Sequence, residues 1–133
     1  MNIIEHTPAP DAGEPKTTKF FHFRQNNSGG SFKVSEAVAH NVIIEAHSAK
    51  EANARAVDIG IYFNGCDTGA DCNCCGDRWS AAWGDADATP LIYGDPPEMH
   101  REHFAKEGQP MCHVYYRDGS KTTYRKPVKE KAE

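Results

Sequence analysis

At 133 residues the chain has the length of one domain, which leaves no room for separate binding and catalytic lobes. Ile, Leu, Val and Phe supply only 20 residues, yet a net charge of −4 and 13 aromatic residues argue for a folded, thin-cored chain rather than a disordered one. A single Leu, Leu91, excludes a Leu-striped helix bundle, and the overall acidity weighs against nucleic acid as a partner.

Residues 1–18, with Pro8, Pro10, Gly13 and Pro15 and no periodicity, read as a flexible arm. Residues 19–25, with Phe20, Phe21 and Phe23, read as a strand, paired with residues 31–34 through the five-residue loop Asn26-Asn27-Ser28-Gly29-Gly30. Residues 42–46 form a β-branched run, and Ser48-Ala49-Lys50-Glu51 follows at once with the Ser-x-x-Glu form of a capping box. Ala49, Ala52, Ala56 and Ile59 then give one apolar helix face, closed by Gly60, before Ile61-Tyr62-Phe63 resumes strand character. This strand, helix, strand unit suits a crossover on a sheet. Trp79 and Trp83 are expected to cap the core. Asp95 as cap, Pro96 at the first helical position and Glu98 predict a second helix to about Glu107. Residues 112–117 and 121–125 flank Asp118-Gly119-Ser120 as a hairpin, and residues 126–133 read as a charged tail. The chain is therefore expected to be α+β over residues 19–125: a mostly antiparallel sheet, one crossover helix, a second short helix and a Cys-rich loop.

No stretch approaches the roughly 18 apolar residues that cross a bilayer, and residues 1–15 lack a signal-peptide core. A cytoplasmic location without a membrane partner is expected, and in a reducing compartment clustered Cys residues point to metal or redox chemistry rather than disulfides. Four of the five Cys lie between positions 66 and 75. Cys72 and Cys75 have knuckle spacing, in which a tight turn aims backbone N–H groups at the sulfurs, and Cys66 reaches as a third ligand of a tetrahedral zinc. The fourth ligand is open among Cys112 or His113 on a distant strand, the strained neighbour Cys74, and His22, His100 or His103. The competing readings are small buried thiols, or a redox dithiol, which Asp71 and Asp77 disfavour by raising thiol pKa values.

A zinc deaminase is excluded because His100-Arg101-Glu102 follows the cysteines instead of preceding them. Cys112 and His113, as strand neighbours, point to opposite faces and cannot act as nucleophile and base. The loop of Asn26, Asn27, Ser28, Gly29 and Gly30 can present N–H groups to an anion, with Arg24 or Arg78 on its phosphates, although a plain hairpin loop is the favoured reading of the stretch.

Asn26-Asn27-Ser28-Gly29-Gly30, residues 42–46, Gly60-Ile61-Tyr62-Phe63, Gly65-Cys66, Asp71-Cys72 and above all Cys74-Cys75-Gly76-Asp77-Arg78-Trp79 resemble small proteins of tailed bacteriophages over residues 20–95. The resemblance implies a phage accessory protein in a bacterial host cytoplasm, where such proteins inhibit or redirect host enzymes or defences. The leading expectation is thus a non-enzymatic factor that contacts a host protein, with structural zinc. The alternatives are a binder that sequesters a nucleotide signal, and a small metal-dependent enzyme.

Overall fold

The computed structural model describes residues 2–7, 18–26, 32–71, 76–84 and 86–128. Five strands, β1 (Ile3–Thr7), β2 (Lys19–Arg24), β3 (Asn41–Ala46), β4 (Pro110–Tyr115) and β5 (Lys121–Arg125), form one sheet in the order β1-β5-β4-β3-β2. Every neighbouring pair is antiparallel except β3 and β4, which run parallel. The fold is the expected mixed α+β one, with two short helices, α1 (Ala49–Asp58) and α2 (Gly65–Thr68).

Alternation along the strands sends side chains to two faces. Phe21, Phe23, Val42, Ile44 and Ala46 face α1, where Ala52, Ala56, Ile61 and Trp79 complete one core. Ile43, Met111, Cys112, Val114 and Tyr124 form a second core on the other face with Ile92 and Ala105. The small alanines let α1 lie close to the sheet. Its start is the expected cap, since Ser48 accepts the Glu51 N–H at 3.1 Å and Glu51 accepts the His47 N–H at 3.2 Å. Its end is a Schellman closure: Ile61 N–H reaches Ala56 O and Gly60 N–H reaches Val57 O, with Gly60 at φ +107°.

Four sequence expectations give way to the structure. Residues 3–7, read as part of an arm, are a strand on β5. The partner of β2 is β3 and not residues 31–34, of which 32–34 form no strand and Ser31 lies outside the described residues. Ile61-Tyr62-Phe63 is core filling instead of a strand, because the Schellman turn captures Ile61, and the parallel partner of β3 is β4. The helix expected from Asp95 shrinks to a 3-10 turn, Pro97–Met99, because Asp95 exchanges both backbone hydrogen bonds with Ile92 and His100 is already extended.

Candidate functional site

Two polar networks sit where β2 ends, one on each face of the sheet. On the α1 face Gln25 is buried and its amide is saturated: it donates to Lys33 O and Ala39 O at 2.9 Å each, and accepts Lys33 N–H at 2.6 Å and Arg78 Nη1 at 2.9 Å. Arg78 also reaches the Tyr62 oxygen at 3.3 Å and lies 3.7 Å from Asp71. Asp71 accepts from the Tyr62 hydroxyl at 2.7 Å and the Arg78 backbone N–H at 2.7 Å. Burial opposes its charge, but these donors and the guanidinium outweigh that and hold its carboxyl below the usual range. Gly65 is obligatory here, since a Cβ would stand 1.9 Å from Asp71 Oδ2. Beside it Asp77 accepts the Cys66 N–H at 2.9 Å, and desolvation together with Asp77 pushes the Cys66 thiol up to about 11.

On the opposite face Glu102 is buried and gripped by both terminal nitrogens of Arg24, by His100 Nε2 at 3.1 Å and by Asn41 Nδ2 at 3.3 Å. Burial alone would raise its pKa; the Arg24 and His100 bonds bring it down to about 2. Asn41 passes the network on, because its Oδ1 accepts from His22 Nε2 at 2.8 Å. Desolvation lowers the His22 pKa, so its ring is neutral near pH 7, and Tyr93 meets it edge-on at 5.0 Å. Arg24 also lies 5.5 Å over Phe32, which stacks on His40 and on the exposed Phe104.

The sequence candidates therefore fall as follows. Arg24 and Arg78 both hold carboxylates inside the domain, Arg24 on one face and Arg78 on the other. Asn26 donates its backbone N–H to Arg78 O at 2.8 Å, which brings the start of its loop beside residues 76–78, whereas Asn27, Ser28, Gly29 and Gly30 lie outside the described residues. Cys72, Cys74 and Cys75 lie outside them too. Cys112 is fully buried in the Ile43 core, its thiol pushed up by burial and by Glu102, while Cys66 follows Gly65, which meets Tyr62 of the α1-side core, so the two cysteines belong to opposite faces of the sheet. His113 uses both ring nitrogens, on Thr123 and Ser35, and burial takes its pKa down to about 4. Among the described residues no three His, Cys, Asp or Glu side chains are grouped to hold a metal.

A cleft of about 360 Å³ opens along the outer edge of β2, lined by His22, Arg24, Ser80, Ala81, Ala82, Trp83 and Tyr93. Trp83, expected to cap the core, is instead 85% exposed, whereas Trp79 is buried as expected. Asn53 of α1 is the cause: its amide donates to Ala82 O at 2.9 Å and accepts the Ala82 N–H at 2.7 Å, pulling this segment toward the helix. Tyr93 is 74% exposed and sits at φ +49°, a backbone region that strains an aromatic residue. Glu102, Asn41, Tyr93 and the exposure of Trp83 carry no sequence signal, because Arg24 and Glu102 meet across 78 positions.

A family model described as Domain of unknown function (DUF7296) matches residues 18–132, and so spans every element from β2 to β5. No curated protein and no solved structure matches the chain. Among the described residues no helix is long and apolar enough to cross a membrane.

Proposed function

The chain belongs to the DUF7296 family, and we infer that it is a non-enzymatic binding protein that sequesters a small planar ligand in the cleft beside β2. The observation that carries this reading is the pair of exposed aromatic residues, Trp83 and Tyr93, that line the same cleft. In a chain whose core depends on aromatic residues, leaving two such rings in water forgoes roughly 1.5–3 kcal/mol of burial each, and a ligand between them recovers it. The volume lies within the roughly 300–1,000 Å³ range of small-molecule sites. The resemblance to tailed-phage proteins supplies the setting: an accessory protein in a bacterial cytoplasm that withholds a nucleotide signal from the host. The test is to incubate the protein with bacterial small-molecule extract, isolate it, denature it and identify the released molecule by mass spectrometry. A stoichiometric small molecule retained by the wild type and lost in Trp83→Ser supports the reading; equal retention by both, or none by either, refutes it.

Docking on a host protein is the second reading, favoured by Met99, at the end of the 3-10 turn, and Phe104, five residues on, which stand 60% and 62% exposed. A structural zinc on Cys66, Cys72 and Cys75 rests on their spacing; Cys112, behind the sheet from Cys66, is left out of that set.

A further inference from the structure

The outer edge of β2 is paired at both ends and open between them among the described residues. Gln25 donates its backbone N–H to His40 O, so odd-numbered residues of β2 pair with β3 and even-numbered ones point outward. At one end Phe20 exchanges both backbone bonds with Asp87, at 2.8 and 3.1 Å; at the other, Asn26 donates to Arg78 O. Between them His22 and Arg24 face outward with no backbone partner among the described residues. The chain takes nine steps from Arg78 to Asp87 against six from Asn26 to Phe20, and Asn53 draws the surplus away at Ala82. The gap left is the cleft. Because the strand edge is closed at both ends, a continuous peptide strand does not fit along it, whereas a compact ring does.

Each outward residue presents an N–H beside a C=O, a donor next to an acceptor, which is complementary to the edge of a nucleobase. Trp83 and Tyr93 line the same cleft beside this edge, where base and aromatic stacking adds roughly 1–3 kcal/mol per base in general. No free cation lines the cleft among the described residues: the Arg24 guanidinium is clamped by Glu102, burial favours the neutral His22 ring, and a further charge acting on that ring is the Asp87 carboxylate. The site therefore favours an uncharged heterocycle over a phosphate.

Resting on the small-ligand reading above, we propose that this cleft binds a nucleobase, its hydrogen-bonding edge read by the backbone of His22 and Arg24 and its ring held by Trp83 and Tyr93. The role first expected for Arg24, a phosphate grip, passes to its backbone, which reads the base.

Adenosine, guanosine, cytidine and uridine are titrated separately into the full-length protein, following tryptophan emission. Trp79 is buried and Trp83 exposed, so the red-shifted component reports the cleft. At least one nucleoside is expected to quench that component saturably, and methylation of the donor on the base edge to weaken its binding roughly tenfold or more. A 5′-phosphate is expected to change affinity less than methylation does. In Tyr93→Gly, whose new residue suits the left-handed backbone, the response is expected to vanish with the fold retained by circular dichroism. No response from any of the four at millimolar concentration overturns the proposal, while a retained molecule of another class in the extract experiment leaves the small-ligand reading standing. A nucleoside bound with indifference to edge methylation also overturns it.

Discussion

Replacing Glu102 by Gln isolates the one carboxylate that the site holds most strongly. Its pKa falls from an ordinary 4.5 to about 2 on folding, which corresponds to about 3 kcal/mol as an upper bound. A quarter of the Arg24 side chain remains in water, and that screening reduces the expected loss at neutral pH in Glu102→Gln to about 2 kcal/mol, below the range for a fully buried broken pair. The sign follows from linkage: a depressed folded pKa contributes stability that is complete above the unfolded value near 4.5 and disappears as pH falls toward 2. Urea unfolding of both proteins at a series of pH values from 7 to 2.5 gives the difference directly. The gap between them should be widest at neutral pH, begin to narrow below pH 4.5 and be mostly gone by pH 2.5, since protonated Glu102 and Gln are near equivalents. Parallel curves across the acid range would show that the Arg24, His100 and Asn41 contacts do not hold this carboxylate in solution.

Burial lowers the His113 pKa to about 4, so its contribution is complete above the unfolded value near 6.5 and is lost as pH falls toward 4; His113→Gln should flatten unfolding stability over that window, and an unchanged slope contradicts the buried geometry. Gly65→Ala drives a methyl group to within 1.9 Å of Asp71 and should lower stability by about 2 kcal/mol or more, whereas Gly60→Ala, which meets nothing within 4 Å, should cost only about 1 kcal/mol of backbone strain; equal effects in thermal melts would contradict the tight contact. Ser48→Ala should cost about 1 kcal/mol through the lost cap, read as a shift in urea midpoint without a change in slope. Purified protein should carry about one zinc by elemental analysis, with a melting temperature that drops on chelation; metal-free protein with an unchanged melt removes the zinc proposal.

What the sequence discloses here is local. The Ser-x-x-Glu box, the alanine face and Gly60 specify α1 because each acts within one turn of helix, and Asp118-Gly119-Ser120 specifies the β4 and β5 hairpin in the same way. Pairing of β2 is not local: residues 32–34 are nearer in sequence, but residues 41–46 offer the β-branched surface that both cores bury. A run of three apolar residues at 61–63 looks like a strand from composition, and only the helix capped at Ile59 decides that it packs into the α1-side core. For the site, Arg24 and Asn26 mark the right end of the right strand, yet the expected chemistry was anion binding. Their guanidinium and backbone are committed by Glu102 and Arg78, partners that no spacing rule reaches. Trp83 shows the limit of arguing from composition: a shortage of aliphatic residues places it in the core, and two hydrogen bonds from Asn53 take it out.

The central claim is that the β2 edge at His22 and Arg24 is open and available to a ligand, and amide hydrogen exchange residue by residue tests it most directly. The amides of His22 and Arg24 are predicted to exchange much faster than those of Phe21 and Phe23, which pair with β3, and to slow when the nucleoside that quenches Trp83 is added. Equal protection of all four amides in the free protein would mean that the edge is already paired, and would contradict the account.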